Sequence, residues 1–126
     1  NITTPVTYGS PTSPAVVVAT SNTLEIQANV TGFGVLVVPN NLRIDAANFN
    51  WTGIVMVLPP TGEFRLDSGA TGFINGALLM QSGSTVNVRT SDSDSNAFRI
   101  SYSCDAIDLA FQAQAIRIIS YSELSY

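Results

Sequence analysis

Few side chains in this sequence are of types that do chemistry. Nine are Asp or Glu, five are Arg, one is a cysteine, and there is no histidine and no lysine. The lack of histidine excludes Ser-His-Asp and Cys-His nucleophiles and histidine-ligated metals. The lack of lysine excludes a Schiff base, and no glycine-rich phosphate loop occurs. What remains is paired carboxylates. Asp45 and Asp67 close two similar phrases, Leu42-Arg43-Ile44-Asp45 and Phe64-Arg65-Leu66-Asp67. One strand apart, at about 4.8 Å, two carboxylates can hydrolyse a glycosidic bond. Arg43 and Arg65 beside them would lower both pKa values, which suits a structural ladder better than a general acid. No catalytic residue is assigned, no cofactor is implied, and the chain is read as non-enzymatic.

Binding candidates are equally sparse. Asp92, Asp94 and Asn96 alternate as the oxygen ligands of a calcium loop do. Ser101, Tyr102 and Ser103 stand where the bidentate carboxylate should follow, so a solvated turn is the better reading and calcium the lesser one. Trp51 is either a core filler or an exposed aromatic platform for a ligand. Tyr121 and Tyr126 lie near the last residue of this sequence and are candidate partner contacts. Cys104 excludes an intrachain disulfide and reads as a small core residue beside a helix start. Asn1, Asn29 and Asn50 each head an Asn-X-Thr glycosylation pattern, in a chain where chance matches are common.

The elements that must position these groups follow from a repeat. Leu24, Leu42, Phe64 and Val86 step by 18, 22 and 22 residues, and each opens a short alternation of apolar and polar residues. Such alternation is the pattern of a half-buried strand. Continuous apolar runs, Gly34-Val-Leu-Val-Val and Gly53-Ile-Val-Met-Val, suit strands covered on both faces. A period near 20 residues with no helix between repeats indicates stacked coils. The predicted fold is all-β: a short parallel β-solenoid of about four coils of 18–22 residues, with one capping α-helix near the C-terminus. A β-sandwich with accidental similarity is the alternative. Ile26, Ile44, Leu66 and Val88 should form one inward ladder. Gly34, Gly53 and Gly76 should mark a recurring corner, and Pro39 and Pro59-Pro60 should end matching strands.

Residues 1–22, with Pro5, Pro11 and Pro14, read as an extended N-terminal arm or linker. The run at 15–20 is β-prone, either a first strand of the solenoid or an arm that pairs with a neighbouring molecule. Residues 23–126 form the solenoid domain. Its capping helix is expected at about 105–114, N-capped by Asp105, with an apolar face that includes Ile107, Ala110 and Phe111. A final strand follows over 115–121. At 126 residues the chain suits one domain. Only 11% is charged, against a usual quarter, and the net charge is −4. The acidic balance argues against nucleic acid as a partner. No run of 18 apolar residues could span a membrane. The start lacks Met and a signal peptide, so the chain reads as a mature or excised part of something longer.

Gly34-Val-Leu-Val-Val, Leu42-Arg-Ile-Asp and Phe49-Asn-Trp-Thr-Gly53-Ile-Val-Met-Val together resemble the C-terminal region of PilX-type pilus assembly proteins of bacteria. So do Gly72-Phe-Ile-Asn-Gly76-Ala-Leu-Leu, Ile100-Ser-Tyr-Ser-Cys-Asp-Ala-Ile107 and Ile118-Ile-Ser-Tyr-Ser-Glu123. The resemblance spans about 24–124 and implies an extracellular role as a minor pilin-like subunit of a type IV pilus or related filament. Its partners would be other pilin or filament subunits, met through the 1–22 arm. Members of that group begin with a long hydrophobic helix, which this sequence lacks, and no functional residue carries over. The expected function is a structural or adhesive subunit at the cell surface. The alternatives are a carbohydrate-binding module that presents Trp51 or a Tyr to a surface glycan and, third, a polysaccharide-active enzyme.

Overall fold

The computed structural model describes residues 1–81, 83–88, 98–112 and 115–118. Along them run β1 (Val6–Tyr8), β2 (Ala15–Val18), β3 (Thr23–Ile26), β4 (Val30–Ile44), β5 (Asn48–Leu66), β6 (Thr71–Met80), β7 (Thr85–Val88), β8 (Phe98–Tyr102), α1 (Cys104–Phe111) and β9 (Ala115–Ile118). Every strand pair is parallel. The strands wind into a β-solenoid of about four turns, as the repeat predicts.

Three sides make each turn. The first stacks β1, the starts of β4, β5 and β6, and β8. The second stacks β9, β2, the middle of β4 and β5, and the end of β6. The third stacks β3, the ends of β4 and β5, and β7. Leu24, Leu42, Phe64 and Val86 fall in one register on the third side, and Ile26, Ile44, Leu66 and Val88 in the next inward one. The first spacing is shorter mainly because Pro39 and Asn41 nearly adjoin, whereas their partners Leu58 and Glu63 are five positions apart; one further residue is saved between Ile26 and Val30, against Ile44 and Phe49. Asn40 turns that tight corner with φ 81°.

The first and second sides meet at Gly34, Gly53 and Gly76, which stack in register. Their φ values are 125°, 132° and 142°. A Cβ at Gly53 would lie 2.0 Å from the Gly34 carbonyl oxygen, and one at Gly76 1.9 Å from that of Gly53. No other residue tolerates both the dihedral and the approach, so the corner is a repeated glycine requirement.

Side chains that alternate inward fill the coil. Phe49, Trp51 and Phe64 are fully buried among Leu, Ile and Val, each contributing about 1.5–3 kcal/mol of burial. Phe49 and Trp51 stack at 6.0 Å between ring centroids. Trp51 has room because its neighbour on the preceding turn is Gly32, where a Cβ would strike the indole at 2.0 Å.

Residues 1–22 are not an arm. Ile2 bridges to Ile26, β1 pairs with β4, and β2 pairs with β4 on one edge and β9 on the other. Ile2, Ala15, Val17 and Ala19 are core residues. The strand alternative for 15–20 is the one realised, because alternate burial of Ala15 and Val17 places them over the core.

The helix is not an end cap. It packs along the side of the solenoid against β4, β5 and β6 and carries the chain back to pair β9 with β2 at the opposite end. Its N-cap is Ser103, whose Oγ accepts the Ala106 N–H at 3.2 Å, and Asp105 lies inside the first turn. Ala106 and Ala110 are the buried residues, small enough that a Cβ built at Gly53 would come within 3.2 Å of Ala110 Cβ. This seat covers Ile54, whose side chain alternates outward and is nevertheless 7% exposed. Phe111, expected on the apolar face, is 76% exposed, because only the narrow Ala106–Ala110 stripe meets the sheet.

Candidate functional site

The two ends of the solenoid differ. At the N-terminal end Ile2 and β9 add a partial further turn over the first coil. The Ile2 N–H donates to Glu25 O at 2.9 Å and its carbonyl accepts from Gln27 N at 2.8 Å. Leu24 and Ile26 beneath are fully buried. At the C-terminal end no described strand pairs with the outer edges of β7, β8 or residues 77–80 of β6. Val88 sits at the inward position below Leu66, and Ile100 below Ile74. They are 55% and 48% exposed, where their stacked counterparts are buried. Backbone donors and acceptors at an open edge, beside apolar residues, are the chemistry of strand addition.

The outer surfaces divide by charge. On the third side Glu25, Arg43 and Arg65 stack. Arg43 Nε and Arg65 Nε both donate to the Asp67 carboxylate, the latter at 2.9 Å. Arg43 also lies 3.5 Å from Glu25 and 3.7 Å from Asp45. Burial of Asp67 raises its pKa, but the two guanidinium hydrogen bonds outweigh this and hold it below the ordinary value. The pairing expected from the sequence is therefore present, with Asp67 at its centre. Asp67 already accepts from two cations, the arrangement of a structural link rather than a proton donor.

The first side is different. Its outward rows carry Asn50, Thr52, Phe73, Asn75, Arg99 and Ser101 and no carboxylate. Phe73, Asn75, Arg99 and Ser101 line a shallow groove of about 260 Å³ across β6 and β8. Phe73 is 38% exposed although large and apolar.

No family model, curated protein or solved structure matches this chain.

The other residues singled out from sequence fall as follows. Trp51 is a core residue and offers no platform: its indole N–H donates to Gly34 O at 3.1 Å inside the coil. Asp92, Asp94, Asn96, Tyr121 and Tyr126 lie outside the described residues. Cys104 is exposed at the first helical position, not packed in the core, because the helix turns its Ala106–Ala110 stripe to the sheet. Its thiol lies 3.6 Å from the Tyr102 hydroxyl. No described helix is long and apolar enough to cross a membrane, and no described cluster of three or more Cys, Asp or Glu could hold a metal. Sequence reasoning missed the Phe73–Arg99 groove. Its signal was present in the aligned phrases, where Phe73 and Arg99 occupy outward positions that hold Thr31 and Asn50 in earlier turns.

Proposed function

We propose that this chain is a non-enzymatic, extracellular structural or adhesive subunit of a type IV pilus-like surface filament. The observation that carries the reading is the exposed apolar C-terminal end of the solenoid, which no described strand covers. Val88 and Ile100 are exposed there beside strand edges that no described strand pairs, while at the opposite end Ile2 and β9 lie over the first coil and Leu24 and Ile26 are buried. Ends that differ in this way make the molecule directional. A directional contact between unlike surfaces extends as a filament when its rotation does not close. The occupant of the open end is a neighbouring subunit that supplies a β-strand. The 1–22 segment is paired within its own chain, so the contact moves to the edge of β6, β7 and β8. The sequence resemblance to PilX-type proteins and the scarcity of charge are consistent with this reading.

Electron microscopy of the native preparation, read alongside light scattering of the purified chain mixed with pilin, tests it. Regular density along a fibre, lost when Val88→Lys and Ile100→Lys are introduced together, is the expected result. Monomeric particles under all these conditions would overturn the reading.

A further inference from the structure

From the groove on the first side, we infer that this chain binds an acidic saccharide, a sugar ring bearing a carboxylate, through Arg99 and Phe73. The argument begins with charge. The chain is acidic overall at −4, and Arg43 and Arg65 are engaged by Asp67. Arg99 forms no ion pair with a described residue, and its face of the solenoid presents no carboxylate in the outward rows. A guanidinium on such a face attracts an anion and can bind a carboxylate through two parallel N–H donors.

The neighbours of Arg99 select a sugar rather than a bare anion. Phe73 lies in register with Arg99 on the adjacent strand and offers an exposed ring to the apolar face of a pyranose. Asn75 and Ser101, in register two residues along, supply an amide and a hydroxyl that donate to and accept from sugar hydroxyls. The groove of about 260 Å³ suits one sugar ring. Asn50 and Thr52 continue the polar rows on the preceding turn. Successive rungs are about 4.8 Å apart, close to the length of one pyranose unit, so a chain of such sugars can lie along the stacking direction. β6 and β8 belong to the continuous sheet, which holds the four side chains in place without a loop.

The inference gives the adhesive part of the proposed function a ligand and rests on that reading only to that extent. Binding is therefore measured on the monomeric full chain, by calorimetry, where a failure to assemble has no effect. The probe is a galacturonate tetramer, compared with its methyl-esterified form and with inorganic phosphate. The expected result is binding of the acid form, with the ester and phosphate both much weaker. Arg99→Gln should weaken binding roughly tenfold to a hundredfold, the worth of a charged hydrogen-bonded contact. Phe73→Ala should weaken it as well, while Phe73→Tyr retains it. Both sites are solvent-facing, and an unchanged unfolding midpoint confirms that each variant folds. No binding of the acid form, equal binding of acid and ester, equal binding of phosphate, or an Arg99→Gln chain that binds like the native one would each overturn the inference.

Discussion

At the residue scale, two buried positions hold the coil together in different ways. Trp51 is the largest fully buried side chain, held by Phe49, by the space over Gly32 and by a hydrogen bond to Gly34 O. Trp51→Ala should cost about 3–5 kcal/mol, as large-to-small core changes do, read as a lower denaturant midpoint. A loss of ligand affinity without loss of stability would contradict this placement. Asp67 joins two turns through Arg43 and Arg65. Its folded pKa lies below the ordinary 3.8, so its stabilising effect is complete above that value and disappears as pH falls through the lower folded one. Asp67→Asn should therefore destabilise by about 1 kcal/mol at neutral pH, given partly exposed arginines. The gap to the native chain should narrow steadily below about pH 4. Thermal unfolding of both proteins across that range provides the check, and a gap independent of pH would refute the linkage.

At the scale of elements, α1 acts as a strap. Its Ala106 and Ala110 lie on β4, β5 and β6, and it connects the last turn, by way of β9, to the first. Ser103 caps its start and also donates its own N–H to Gly76 O at 3.1 Å. Ser103→Ala should cost about 1 kcal/mol through loss of the cap. Ala110→Leu should cost about 1–3 kcal/mol, since the added carbons have no space above Gly53. Helical circular dichroism and denaturant midpoints measured together would separate a lost cap from a lifted helix. An Ala110→Leu protein as stable as the native one would show that the helix does not seat where its alanines indicate.

At the scale of the molecule, stability should be graded along the stack. Strand pairing within the stack joins each turn only to the next, so opening should begin at the end where no described strand covers the edge and apolar residues are exposed. Amides of β7 and β8 should exchange with solvent hydrogen ahead of those of β2 and β3, and assembly of the proposed filament should erase the difference. Native-state hydrogen exchange measures this directly; faster exchange at β2 than at β8 would reverse the assignment of the open end.

How much of this was legible in the sequence depended on the range of the contact. The inward ladder of Ile26, Ile44, Leu66 and Val88, the corner glycines and the outward Arg43, Arg65 and Asp67 all appear as repeated letters. Each residue there meets its own counterpart one turn away, and steric need recurs at every turn. Trp51 was ambiguous because its slot depends on Gly32, a single unrepeated partner. The groove was hidden because two ordinary outward positions become a site only when Phe73 and Arg99 stack. Least legible was the pairing of Ala15 with Ala115, a hundred positions apart. The repeat, and hence the coil, follows from residue types that recur at every turn. Where Ile2 and β9 settle over the first coil was not readable in this way, since those contacts are made once, by segments with no counterpart to align against.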